Sequence, residues 1–278
     1  MNRFIRQLER WFACAGARTE PPTCNDADPA HAPLCPLPTP LALRGDLRVL
    51  VFAPHPDDEI LGCGGTLALL ARLGCPIRVV IVTDGAGAGG LPEGAATVRK
   101  EESRRGLKMI GIEDVVFLDE PDGAFRATAA FDETIRALLS SFRPDTILMP
   151  SPLDYHRDHV ALGLALLRLW QAEHGHGHAS TALLYEVWAP LPANRIVDIS
   201  DVLALKQAAL AQHRTALEQM DYASTNQGLA HFRGLYLGKG TAPKHAEAFL
   251  ELRQDAASHR MVALLSELRG LVVEGTGN

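Results

Sequence analysis

No apolar run in this chain approaches the roughly 18 to 20 residues needed to span a bilayer. The opening Met1 to Gly16 also lacks the uninterrupted apolar core of a secretory signal. A protein that is neither membrane-spanning nor exported, and hence cytoplasmic, is the expectation. Cysteine is scarce and poorly arranged. Cys14, Cys24, Cys35, Cys63 and Cys75 are odd in number and form no C-x-x-C pair, which fits neither a disulfide framework nor a closed zinc knot. Reduced thiols are expected instead. Positive charge is in deficit as well, with a formal net charge of −6 and a pI near 6.0. A nucleic-acid binder shows a basic face rather than a mild acidic excess, so no nucleic-acid partner is expected. No internal repeat is visible.

What is present is enough apolar material for a sizeable core, 47% of 278 residues, within reach of one large α/β domain. Residues 2–12 set Phe4, Ile5, Leu8, Trp11 and Phe12 at helical spacing, with Arg3, Arg6 and Arg10 on other faces. Such a helix could lie on an anionic membrane surface, dock on a partner, or pack on its own domain or a sister subunit in a homo-oligomer. Arg18 to Pro40 holds seven prolines and few apolar residues and reads as a linker. The appendage thus spans residues 1–40 and the main domain 41–278, with the boundary near Leu41.

From Asp46 onward strands and helices alternate. Strands are expected at 47–52, 77–82, 115–118, 146–149, 182–188 and 195–199, and helices at 60–73, 95–110, 130–142 and 160–172. Val202 to Met220 reads as the longest helix, Gly228 to Gly240 as a loop, and Ala246 to Leu252 and Ala257 to Val272 as further helical patterns. Short apolar strands separated by helices imply a Rossmann-like open α/β fold, a mostly parallel sheet with helices on both faces.

Ala53-Pro54-His55-Pro56-Asp57-Asp58-Glu59 follows the first strand directly. An imidazole and several carboxylates thereby fall at the carboxyl edge of the sheet, where open α/β folds bind ligands. Three acids in a row repel a phosphate and suit a cation. Gly62-Cys63-Gly64-Gly65 mimics a dinucleotide fingerprint, but Leu67 stands where the third glycine belongs. These glycines more plausibly let the helix approach the sheet closely. His55 and Asp58, three positions apart across a strand-to-helix turn, can reach one ion. Asp57 between them can face a bound water. His, Asp and water suit Zn²⁺, and three protein ligands with an open fourth position make a catalytic site. A further ligand must come from Asp154-Tyr155-His156-Arg157-Asp158-His159, where His156 and His159 can address one pocket though only one need bind. Taken singly, each of these residues is equally readable as a polar loop residue or helix cap.

The two boxes, in this order and setting, resemble the A-H-P-D-D-E and D-x-H-x-D-H signatures of the LmbE-like, or PIG-L, family of zinc-dependent deacetylases, over roughly Asp46 to the late helices. Here Pro54 directly precedes the first histidine. The resemblance implies His55, Asp58 and His159 as Zn²⁺ ligands and Asp57 as general base. It makes His156 a hydrogen-bond donor to the developing oxyanion, with Asp158 holding His156 in the needed protonation state. Glu59 is left as a supporting acid, and Asp154 as a loop stabiliser. Thr83-Asp84-Gly85 resembles a family turn, so Asp84 could touch substrate or support the metal, or simply make the turn. Arg99-x-x-Glu102 matches a family R-x-x-E in which the arginine reaches substrate; Asp122-Gly123 resembles a rim turn. Family members carry H-x-S-Q late in the chain, whereas His213 here precedes Arg214-Thr215-Ala216. The implied activity is removal of an N-acetyl or N-acyl group from a small amino sugar or glycoconjugate. Rival readings are an amidase on a thiol conjugate, a secondary-metabolite deacylase, or a carbohydrate-binding protein without catalysis.

Overall fold

The computed structural model describes residues 37–87, 91–172, 180–238, 240 and 242–274. The amphipathic stretch 2–12 and nearly all of the proline-rich stretch lie outside these residues. Among the described residues eight strands form one sheet: β1 (Thr39–Pro40), β2 (Val49–Ala53), β3 (Ile77–Thr83), β4 (Val115–Glu120), β5 (Thr146–Pro150), β6 (Thr181–Tyr185), β7 (Arg195–Asp198) and β8 (Ala246–Arg253). Their spatial order is β1-β7-β8-β6-β5-β2-β3-β4. Strands β2 to β6 pair in parallel with their neighbours, and β8 runs antiparallel between β6 and β7. The expected open, mostly parallel α/β sheet is what the chain forms.

Alternation within each strand feeds two cores, because successive side chains point to opposite faces. Leu50 and Phe52 of β2 join one apolar cluster, with Leu162 and Leu166 of a helix over Arg157–Ala172 and Phe131 and Ile135 of another over Ala129–Phe142. Val49 and Val51 face the other cluster, with Ile60 and Leu67 of a helix over Asp58–Arg72 and Leu107 of a helix over Ala95–Met109. Every residue of β2 is buried, and full burial of a Val, Leu or Phe side chain stabilises by about 1.5–3 kcal/mol. In chain order the helices are α1 (Asp58–Arg72), α2 (Ala95–Met109), α3 (Ala129–Phe142), α4 (Arg157–Ala172), α5 (Leu203–Leu210), α6 (Arg214–Leu217), α7 (Tyr222–Gly234) and α8 (Ala256–Glu274). Among the described residues no helix is long and apolar enough to cross a membrane.

Three expectations fail. The helix read over Val202 to Met220 is broken between α5 and α6, where His213 turns inward against Gly106 of α2. Tertiary packing overrides a continuous helical pattern there. The stretch read as a loop from Gly228 is helical to Gly234, as part of α7. Ala246 to Leu252, rich in helix-forming Ala, Leu and Glu, is strand β8, buried along all these positions between β6 and β7.

Strand order reverses between the parallel neighbours β2 and β5: from β2 the sheet grows through β3 and β4 one way, and from β5 through β6 the other. A crevice opens at the carboxyl ends of strands at such a switch point. Both sequence boxes begin there, one after β2 and one after β5.

Candidate active site

The turn from β2 into α1 is tight and unusual. Asp57 caps α1 with φ at 143°, a value that side-chain-bearing residues rarely adopt, and such strain persists where the surroundings enforce it. The surroundings are visible. The Asp57 amide donates to Glu59 Oε2 at 2.9 Å, its carbonyl accepts from Ile60 and Leu61, and its carboxylate is gripped by Arg99 at 3.0 Å. Gly62 allows α1 to settle on the Tyr185 ring: a Cβ there would lie 2.2 Å from a ring carbon. Tyr185 in turn donates its hydroxyl to Phe52 at 2.7 Å. The close approach expected of these glycines is therefore observed.

Three electron-pair donors converge in the crevice. His55 Nδ1, Asp58 Oδ2 and His159 Nε2 each lie 3.1 Å from the other two. Ligand atoms of a tetrahedral zinc with bonds of about 2.0–2.1 Å are roughly 3.3 Å apart, so this triangle has the right size for such an ion. The outer ring atoms explain why lone pairs face inward. His55 Nε2 lies 3.0 Å from Asp122 Oδ1 and 3.3 Å from Asp158 Oδ2, so its proton belongs on that side. His159 Nδ1 lies 3.3 Å from Asp154 Oδ2. A carboxylate on the far nitrogen fixes the tautomer and raises ligand basicity.

Electrostatics agree. Burial pulls the His55 pKa down, yet the carboxylates of Asp122, Asp158 and Asp58 prevail and raise it well above its ordinary value. Burial likewise lowers the His159 pKa, yet the charge of Asp58 prevails and raises it to about 9. Asp58 itself, though desolvated, is held far below the carboxylate range by the two histidines. The cluster stabilises added positive charge, and a divalent cation supplies more of it than protons on two rings. The His/Asp donor set thus fits a metal ion.

Asp57 sits outside the triangle. Burial and the neighbouring Asp58 charge push its pKa up, Arg99 pulls it back, and it lies at about 7. His156 is half-buried, with its ring 4.6 Å from that of His55 and 4.8 Å from that of His159. Its Nδ1 accepts from the Asp158 amide at 3.3 Å. The neutral ring therefore carries its proton on Nε2, and burial with the nearby histidines lowers its pKa further into neutrality.

Several sequence-based expectations need correction. The Asp158 carboxylate does not hold the His156 ring; it faces His55 and accepts from the amides of Gly123 and Phe125 at 2.6 and 3.3 Å. The backbone of Asp158 sets the His156 tautomer instead. Arg99 is buried, and its guanidinium donates to Gly85, Pro56 and Asp57 at 2.7, 3.0 and 3.0 Å, so it is turned onto the β2–α1 turn and the Asp57 carboxylate rather than out toward a substrate. Asp84 accepts from Ala86 in its own turn at 2.9 Å, which is the plain-turn reading. Asp122 is more than a rim residue, since it contacts His55. Asp154 does more than stabilise its loop, since one carboxylate meets the His156 amide, the Trp188 amide and His159. Glu59 is fully buried and its pKa is raised to about 8, mainly by burial and then by Asp57.

Residues 50–170 match the sequence profile of the family described as PIG-L, GlcNAc-PI de-N-acetylase. A probable N-acetyl-alpha-D-glucosaminyl L-malate deacetylase 2 of Bacillus cereus is 30% identical over 188 residues, covering 62% of this chain and 85% of that protein. The chain belongs to the PIG-L, or LmbE-like, family. The diacetylchitobiose deacetylase of Thermococcus kodakarensis, 29% identical over 222 residues, covers 72% of this chain and 81% of its own length. In fold, this PIG-L chain is similar to the N,N'-diacetylchitobiose deacetylase from Pyrococcus horikoshii, with a TM-score of 0.65 at 24% identity over 75% of this chain and 85% of that one.

Proposed function

We propose that the protein is a zinc-dependent hydrolase that removes an N-acetyl group from an amino sugar or glycoconjugate. The observation that carries this reading is the 3.1 Å triangle of His55 Nδ1, Asp58 Oδ2 and His159 Nε2; burial also raises the pKa of the adjacent Asp57 carboxyl to about 7. The deacetylase names of the relatives supply the substrate class.

His55, Asp58 and His159 would hold the ion. A zinc ion bound there supplies Lewis acidity toward the amide carbonyl and acidifies its water. Asp57, with a pKa near the working pH, takes the proton of the attacking water and returns it to the departing amine; both roles need a carboxyl that exchanges protons easily at neutrality. His156 donates from Nε2 to the oxygen that gains charge, a task for which a neutral, oriented donor costs no reorganisation. Asp122, Asp154 and Asp158 hold the ligand rings, and Arg99 holds Asp57.

The test is acetate release from a panel of N-acetylated sugars, before chelation, after it, and after zinc is restored. Release that vanishes and returns with zinc is expected. Protein shown to contain one zinc but releasing acetate from no member of the panel would overturn the sugar deacetylase reading.

Arg99 yields a separate expectation. Its charge lowers the Asp57 pKa, and activity is lost as pH falls through that pKa because the base becomes protonated. Replacing Arg99 by methionine raises the pKa, so the acid limb of the kcat profile moves to higher pH. At pH 7 kcat falls about tenfold or more. A profile whose acid limb stays in place would show that Arg99 does not set this titration.

A further inference from the structure

Two aromatic residues, Trp188 and Tyr222, have no task in the reaction described above. Trp188 lies three residues beyond β6, at the same sheet edge as the site, and is 40% exposed. Trp170, by contrast, is 1% exposed in the core. The Trp188 amide donates to Asp154 Oδ2 at 3.0 Å, and that same oxygen lies 3.3 Å from His159 Nδ1. Trp188 is thus tied through one oxygen atom to the ring of a candidate metal ligand. Tyr222, the first residue of α7, stands edge-on to Trp188, with ring centroids 5.8 Å apart and planes at 90°. It is half-buried against the apolar cluster that includes Leu61 of α1. Its hydroxyl pKa is raised to about 12, by burial first and then by the charges of Asp57 and Asp58. The main chain of Trp188 is thus anchored on the carboxylate that also meets His159, and the Tyr222 ring packs edge-on against the Trp188 ring.

An indole left with a large fraction of its area in water, on a backbone fixed by a buried carboxylate, forgoes much of the gain of burying so large an apolar side chain. A ligand with one flat apolar face and a polar rim would recover it. A pyranose ring has this shape, since its C–H groups present an apolar face and its hydroxyls lie at the edge. We propose that Trp188, braced by Tyr222, is the stacking platform for the sugar ring whose N-acetyl group reaches the His/Asp cluster. This assignment of a sugar-binding element rests on the deacetylase reading above.

The experiment uses the full-length, zinc-loaded protein and N,N'-diacetylchitobiose as probe. Trp188→Leu keeps bulk and removes the flat face, and it is expected to raise KM about tenfold while lowering kcat less than threefold. Trp188→Phe keeps a ring and is expected to recover most of the loss. Phe232→Ala serves as a control, being an exposed aromatic on α7 at 49% exposure outside the site, and its KM should stay within twofold of the parent. A KM for Trp188→Leu within twofold of the parent, an equal rise for Phe232→Ala, or a loss confined to kcat would each overturn the platform. Sugar titrations followed by tryptophan fluorescence separate this inference from the activity. Quenching in the parent that is absent in Trp188→Phe, without any acetate release, would leave the platform standing and the deacetylase reading overturned. Acetate release without such quenching would do the reverse.

Discussion

Replacing Asp57 by alanine is expected to leave bound zinc in place and to lower kcat by about a thousandfold, within the range that general acid–base groups contribute. The separation follows from geometry. Asp57 is absent from the donor triangle, whose corners come from His55, Asp58 and His159. Its carboxylate points instead to Arg99. Replacing His159 by alanine removes a corner, and both metal and turnover should be lost together. Metal content by elemental analysis and single-turnover acetate release read the two effects separately. Removal of the Asp57 carboxylate also leaves the buried Arg99 guanidinium with two backbone carbonyls and the more distant Asp122 carboxylate at 3.9 Å, so Asp57→Asn, nearly the same shape, is the second variant if the first folds poorly. More than a tenth of the parent activity in a correctly metallated Asp57→Asn protein would move the base elsewhere. Asp122 and Asp158 are the less suitable candidates, because both carboxyls are held below their ordinary range by their hydrogen bonds to His55, despite partial desolvation.

Much of this site is legible in the sequence because its donors are packed into two short boxes, each directly after an apolar strand. Strand, turn and helix order then suffices to bring His55, Asp58 and His159 to one edge. What the sequence conceals is which outer group faces which ring. Asp122 comes from the end of β4, beyond β3 in the sheet, and reaches His55 only because the loop after β4 folds back across the crevice. Asp158 is adjacent to His159 and two residues from His156, and spacing favours the latter as its partner. The register of α4 turns its carboxylate toward His55 and the amides of Gly123 and Phe125 instead. Arg99 was open to a surface or substrate role since a helical R-x-x-E pair is consistent with either. Its burial depends on α2 packing against the β2–α1 turn, which no local pattern encodes. β8 is hidden for a similar reason. Ala-Glu-Ala-Phe-Leu-Glu-Leu has the composition of a helix, and its strand conformation is set by pairing with β6 and β7 on both sides.

β8 also carries the second large expectation. Glu247 is 5% exposed and Lys206 of α5 is 2% exposed, and they pair at 2.8 Å in the interior. The pair is wired into α1. Glu247 accepts from the amides of Gly65 and Thr66 at 2.8 and 2.7 Å, while Lys206 and Asn226 both donate to the carbonyl of Leu61 at 2.9 Å. A helix rich in glycine holds its shape poorly by propensity alone, and here backbone groups of one turn take partners from three other elements. Replacing Lys206 by methionine leaves a buried carboxylate without its cation, a change that costs about 3–5 kcal/mol. For a domain of this size each kcal/mol lowers Tm by about 2–4 °C, so a fall on the order of 10 °C is expected. Adding Glu247→Gln removes the stranded charge and keeps an oxygen for the Gly65 and Thr66 amides, and at least half of the lost stability should return. Calorimetric melts of the parent, the single and the double variant decide the matter. A Lys206→Met protein that melts within 2 °C of the parent would mean that water or a rotated side chain already neutralises Glu247. Because the pair grips the α1 backbone from Leu61 to Thr66 and touches none of His55, Asp58 and His159, the folded fraction of Lys206→Met at low temperature should keep its zinc and a kcat within about threefold of the parent. Loss of metal in a still-folded variant would instead show that this interior pair sets the position of the α1 amino terminus, and with it the ligand triangle.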